Sequence, residues 1–292
     1  MTLCIGGICK ERDEQRIILC ADSRLELPEA GGDIGFKMDT IAEGFVAMIA
    51  GTFGPGLQMI KFLKKEFGAT KFDSPVDFVD SLRGSLHRYR RRLVNDFMER
   101  KLSLDYAGFI DIGKEKLPRI FFENVIEEIG SVTTQCDMIV AGFVNGDPLL
   151  LQIGEDLIIT EEDPFTCIGS GSSAAMVMMF KRQYRSRLRY DEALYYVYEA
   201  KRMAEVSPGV GKETHIVILR HNHSRQQGET VVITGQSGIP ALEKQFERFG
   251  PQLYQPPSDA IRSAMHPGFT SEDLKYPRDP KAGQSHQPPS QE

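Results

Sequence analysis

The first fifty residues alternate short apolar runs with glycines and charged turns. Residues 2–9 are apolar around Gly6-Gly7. Arg12-Asp13-Glu14 is a charged turn, and 16–21 is a second apolar run that ends at Asp22-Ser23-Arg24. Beyond the Pro- and Gly-containing stretch 28–33 lie two more runs, 34–39 and 44–50. Runs of this length between turn residues predict antiparallel strands with tight connections. The period then changes. Leu57, Ile60, Leu63 and Phe67 recur every three or four residues and predict a helix over 56–67. Phe78, Val79, Leu82, Leu86, Leu93 and Phe97 extend a second apolar stripe over 75–102, with Pro75 in the first turn, where no helical N–H is needed.

Strand patterns return at 137–143 and 149–153 on either side of Asn145-Gly146, a strong hairpin signal, and again at 157–160 and 165–168. A second helical pair is predicted over 172–188 and 190–206, the latter with Ala193, Leu194, Val197, Ala200 and Ala204 on one face. Strands at 214–219 and 229–234 follow, and His221 and His223 make a polar turn between them. Strands and helices do not alternate one for one, so a doubly wound parallel sheet is disfavoured. The order predicts a layered α+β fold of antiparallel sheets and paired helices. Eight prolines fall between Pro251 and Pro289 among Gln, Ser and His. The expected organisation is therefore one domain over 1–250 and a Pro/Gln-rich, mostly disordered tail over 251–292, with one docked stretch at 269–276.

Charge and composition narrow the function. The 292 residues carry a formal charge of −6, which gives no electrostatic case for nucleic acid or an anionic membrane surface. No apolar run reaches the length of a membrane span, and no basic segment followed by an apolar stretch marks a leader. A cytoplasmic protein is expected. The five cysteines are odd in number and form no CxxC pair, as for buried thiols in a reducing compartment. The six histidines show neither HExxH nor zinc-finger spacing, so no metal or cofactor is expected.

Several short motifs occur in a particular order. Thr2 follows Met1, and Ala21-Asp22-Ser23-Arg24 closes a predicted strand. Lys37-Met38-Asp39-Thr40-Ile41 comes fifteen residues after Asp22, and Ala50-Gly51 closes another strand. Ala141-Gly142-Phe143 precedes the hairpin, and Ile168-Gly169-Ser170-Gly171-Ser172 opens a helix. Each alone has an ordinary explanation: a polar strand end with a salt bridge, a solvated lysine, a loop with a helix cap. The glycine-rich segment lacks the Gly-Lys-Ser/Thr ending of a phosphate loop, and no Gly-x-Ser-x-Gly elbow has plausible partners. Together, over about residues 2–219, they resemble the proteasome β-subunit family and its simpler bacterial relatives.

The resemblance implies a four-layer αββα sandwich of the N-terminal-nucleophile hydrolase type, with Thr2 as nucleophile once Met1 is removed. It implies that Lys37 steadies the Thr2 oxygen, Asp22 orients Lys37, the Gly51 N–H faces the oxyanion, and Ser170 and Ser207 hold the amine and a water. One motif departs from the family. Where Arg-Asp-x-x-Ser-Gly is usual, this chain has Arg202-Met203-Ala204-Glu205-Val206-Ser207-Pro208-Gly209, which puts Ala204 at the aspartate and Glu205 one residue beyond it. The turn before Arg16 is also longer than in most members. The family's propeptide would here be replaced by methionine removal alone.

An N-terminal threonine combines nucleophile and base, because an α-amino group titrates at about 7.7–8.0 and can take the hydroxyl proton. The expected function is therefore a threonine-type peptidase or amidase acting through an acyl-enzyme. The alternatives are a non-catalytic assembly subunit of the same fold, which Ala204 favours, or an interaction module acting through the tail. The resemblance also implies a homo-oligomeric ring and a peptide or small-amide substrate. The sequence does not specify an ATP-driven unfoldase partner.

Overall fold

The computed structural model describes residues 2–251 apart from 28–29, 34–36, 69, 222–229 and 235. The chain begins with β1 (Cys4–Glu11) and β2 (Glu14–Asp22), the short antiparallel pair β3 (Arg24–Leu27) and β4 (Ala30–Asp33), then β5 (Met38–Ala42) and β6 (Phe45–Gly51). Four helices follow: α1 (Phe53–Phe67), α2 (Pro75–Leu102), α3 (Tyr106–Lys116) and α4 (Arg119–Gly130). Strands β7 (Cys136–Val144), β8 (Asp147–Ile153), β9 (Ile159–Glu161) and β10 (Phe165–Ile168) lead to α5 (Ser172–Lys181) and α6 (Tyr190–Ala204). Then come β11 (Thr214–His221), β12 (Thr230–Thr234) and α7 (Ile239–Phe249).

The strands form two five-stranded antiparallel sheets, ordered β10-β1-β2-β11-β12 and β5-β6-β7-β8-β9. Each is covered on both faces, which is why its central strands are apolar throughout. Successive side chains point to opposite faces. In β1, Cys4 and Ile8 enter a core shared with Val46, Met48 and Ala50 of β6, whereas Ile5 and Cys9 pack with Met179, Val197 and Ala200 of α5 and α6. In β6, Ala47 and Ile49 turn the other way, towards Ile60 and Leu63 of α1 and Phe78 and Leu82 of α2. The result is an α+β multilayer sandwich: two antiparallel sheets face to face, flanked by helices.

Helix α2 spans the predicted 75–102, with Ser74 accepting a capping bond from Asp77 N–H at 3.1 Å. Other elements differ from expectation. Helix α5 stops at Lys181 rather than near 188, because Gln183 adopts the left-handed conformation at φ 51°. Strand β11 runs on through His221, so that histidine lies in the strand; His223 lies outside the described residues. Residues 103–135 carried no predicted element but hold α3 and α4. Gly108 and Gly113 weaken the helical signal of α3. Its order comes from the Asp105 cap and from a small cluster of Phe109 and Val125 with Val94 and Met98 of α2. Helix α7 likewise has no counterpart among the predicted elements. The stretch 269–276 lies outside the described residues. No helix among the described residues is long and apolar enough to cross a membrane.

Candidate functional site

The antiparallel register of β1 and β2 pairs Cys4 with Ala21, so the two residues ahead of β1 run alongside the end of β2. The Asp22 N–H donates to Leu3 O at 3.2 Å, and the Leu3 N–H donates back to Asp22 Oδ1 at 2.8 Å. This exchange fixes Thr2 beside the Asp22 carboxylate, and the Thr2 hydroxyl donates to Asp22 Oδ1 at 2.8 Å. The third member comes from the other sheet. Lys37 immediately precedes β5, and its carbonyl accepts from Ile49 N–H of β6 at 3.1 Å. Face-to-face stacking of the sheets brings its ammonium to Asp22 Oδ1 at 2.7 Å and into hydrogen-bond contact with Thr2 Oγ1.

All three side chains are withdrawn from solvent: Thr2 is 3 % exposed, Asp22 0 % and Lys37 3 %. A buried carboxylate is tolerated only when paired and fully hydrogen-bonded. Asp22 meets that condition with five donors. Oδ1 accepts from Thr2, Leu3 and Lys37; Oδ2 accepts from Gly211 N–H at 2.8 Å and Arg24 N–H at 3.2 Å. The Thr2 oxygen is thus held with its proton on a carboxylate and an ammonium donating to it. Of the two, the ammonium favours negative charge developing on the oxygen.

Ser170 stands at the other side of Thr2. The Thr2 N–H donates to Ser170 Oγ at 3.2 Å, and Ser170 Oγ lies 3.4 Å from Thr2 O. Glycine is required next to it. Gly169 has φ 94°, and a β-carbon there would stand 2.3 Å from Thr2 O. Gly51 closes β6 at φ 106° opposite Cys136, with Gln135 O so near that a β-carbon would sit 2.8 Å from it. Both positions use a backbone conformation that L side chains rarely adopt.

Ser207 enters differently. Among the described residues it is tied in by its backbone: its N–H donates to Ala204 O at 2.9 Å, and its carbonyl accepts from Val210 N–H at 3.3 Å. Ala204 is buried in the apolar cluster with Leu3 and Val210. Glu205 bonds Lys201 Nζ at 2.6 Å and stands 3.3 Å from Arg202 Nε.

Sequence reasoning did not single out Gly211, whose N–H completes the Asp22 shell, or Glu213, which accepts from Ser23 Oγ at 3.0 Å. Both lie in the loop before β11, and the signal for them is the pairing of β11 with β2, which sets Thr214 opposite Asp22. No strand pattern discloses that partner choice. A groove of about 780 Å³ opens between α1, α2 and the end of α4, lined in part by Tyr89, Phe97, Arg100 and Gln135. It contains none of the six residues singled out from the sequence; its tie to them is Gln135, whose carbonyl packs on Gly51. All five cysteines are free and buried, and burial raises the Cys4 thiol, beside Lys37 and Asp22, far above its ordinary range. The only hydroxyl that both Lys37 and Asp22 reach, among the described residues, is that of Thr2. No family model matches this chain, and no curated protein matches it.

Proposed function

We propose that this protein is an N-terminal-nucleophile amide hydrolase with a proteasome-like αββα fold, in which Thr2 attacks the carbonyl once Met1 has been removed. The observation that carries the reading is the Thr2 hydroxyl held between the Lys37 ammonium and the Asp22 carboxylate, with the Thr2 nitrogen on Ser170. A structural threonine needs no buried lysine at its oxygen.

The chemistry follows from these contacts. The Thr2 hydroxyl turns its proton from Asp22 to the free Thr2 amine, which takes it as Oγ1 bonds to the substrate carbonyl carbon. Lys37 steadies the oxygen as its charge grows, and the Gly51 N–H donates to the oxyanion of the tetrahedral intermediate; a donor of that kind is worth about 2.7–4 kcal/mol. The C–N bond breaks, the leaving amine takes the proton from the Thr2 ammonium, and an ester on Oγ1 remains. Water, deprotonated by the same amine, attacks that ester and releases a carboxylic acid, restoring the threonine. Ser170 orients the amine. Ser207 acts through the turn that leads to Gly211. The substrate class is a peptide or small amide, and the assembly is a homo-oligomeric ring.

Ala204 supports a second reading, an assembly subunit that retains the fold without turnover. One experiment separates the two. Intact mass establishes whether Thr2 is the first residue, and hydrolysis of fluorogenic peptides is compared between the wild type and Thr2→Ala in the native assembly. Hydrolysis that disappears in Thr2→Ala supports the hydrolase. Retention of Met1, or hydrolysis unchanged in Thr2→Ala, rejects it.

A further inference from the structure

The ammonium of Lys201 is fully buried near the end of α6, where it donates to Glu205 Oε1 at 2.6 Å and to the carbonyl of Lys212 at 2.5 Å. A lysine head group taken out of water is costly unless a carboxylate and further acceptors replace its hydration. Here one of those acceptors belongs to the loop that supports Asp22. Within four residues, Gly211 N–H donates to Asp22 Oδ2, Glu213 accepts from Ser23, and Thr214 pairs with Asp22 across the β11–β2 ladder. The other bond to the Lys212 carbonyl, from Thr214 Oγ1, is long at 3.5 Å. At the Lys212 carbonyl the short bond is therefore the one from Lys201 of α6.

We infer that Lys201 is a positioning residue for the Thr2 site. Through the Lys212 carbonyl it fixes residues 211–213, so that the Gly211 N–H stays on Asp22; Asp22 in turn holds Lys37 and the Thr2 hydroxyl. Glu205 holds the ammonium of Lys201 in place. The carboxylate that follows Ala204 thus serves the site from a distance and does not replace the missing aspartate at Thr2. This role rests on Thr2 being the nucleophile, but the clamp itself is measurable without turnover.

Lys201→Met keeps the buried stem and removes the donors. Backbone hydrogen exchange of the full-length protein, followed by mass spectrometry over peptides covering 205–216, reports on Gly211. The rate at which a β-lactone acylates Thr2 reports on the site. In Lys201→Met the Gly211 amide exchanges about 10- to 100-fold faster, as for loss of one charge-assisted hydrogen bond, and acylation slows by a similar factor. Glu205→Gln gives the same pattern more weakly, and it decides the matter if Lys201→Met does not fold. Lys212→Ala removes only an exposed side chain and leaves both readouts unchanged. Gly211 exchange that is the same in both Lys201→Met and Glu205→Gln overturns the clamp. Faster exchange with unchanged acylation overturns the positioning role. A parent protein whose free Thr2 is never acylated overturns the hydrolase reading instead, and the Gly211 exchange still decides the clamp.

Discussion

Lys37 Nζ and Asp22 Oδ1 meet at 2.7 Å across the space between the two sheets, the lysine from the entry to β5 and the aspartate from the end of β2. The pair joins the layers at the point where Thr2 lies. Removing one partner leaves the other charge buried and unpaired. Lys37→Met and Asp22→Asn are each expected to lower the unfolding free energy by about 3–5 kcal/mol in urea titrations. Acylation of Thr2 is expected to fall at least about 100-fold in both. Lys37→Arg does not restore it, because the planar guanidinium cannot take the place of a compact ammonium in contact with both oxygens.

Gly169→Ala tests the backbone beside Thr2. A β-carbon placed 2.3 Å from Thr2 O forces the two segments apart, at a residue whose φ of 94° already disfavours alanine. The expected result is a loss of about 1–3 kcal/mol in stability together with loss of Thr2 acylation. Stability falling while acylation persists at the parental rate would show that the Thr2–Ser170 contact is dispensable.

Ser170 and Ser207 are expected to behave differently. Ser170 Oγ is hydrogen-bonded to the Thr2 nitrogen at 3.2 Å, whereas Ser207 contributes backbone bonds to Ala204 and Val210. Ser170→Ala is expected to slow acylation by about 10- to 100-fold, in line with one hydrogen bond to a charged group, and Ser207→Ala by less than about threefold. Equal losses in the two variants would place the Ser207 hydroxyl at the amine.

Much of the site was legible in the sequence, for reasons that differ by residue. Asp22 and Gly51 close apolar strands, and strand ends are marked by local pattern. Gly169-Ser170-Gly171 sits between a strand and a helix, and that boundary is also local. What brings Thr2, Asp22, Lys37 and Ser170 together is not local. Lys37 reaches Asp22 only because two sheets stack face to face, and Gly211 reaches it only because β11 chose β2 as its neighbour. Helix α3 has only weak helical periodicity, interrupted by Gly108 and Gly113, and is held by contacts with the far end of α2. Helix α4 does carry an apolar stripe at helical spacing, Phe122, Val125 and Ile129, so its signal was present in the sequence. The role of Lys201 was hidden for a related reason. Its partner is a backbone carbonyl, and no side-chain pattern records that.

The thiols give a pH dependence with a definite sign. Burial raises Cys9 and Cys20 to about 12 and Cys136 to about 11, from an ordinary 9.0. Below the ordinary value both folded and unfolded chains keep these protons, and the thiols contribute their full stability. Above it the unfolded chain ionises first, so stability declines as pH rises towards the folded-state values. The urea midpoint is expected to fall steadily from about pH 9 upward. At pH 8 a thiol reagent is expected to label the native protein slowly and all five cysteines after denaturation. Rapid labelling of Cys4 in the native state would show that the space beside Lys37 is open to reagents.

In the proposed hydrolase Thr2 supplies both a free amine and an activated hydroxyl. A peptide epoxyketone reports on both at once, because its stable adduct closes a ring through the amine and Oγ1. The native assembly is incubated with the reagent, digested and mapped by mass spectrometry. The expected result is one adduct on Thr2 as the first residue, absent from Thr2→Ala and strongly reduced in Lys37→Met. An unmodified Thr2 with its amine free, in an assembly of native size, would contradict Thr2 as the nucleophile.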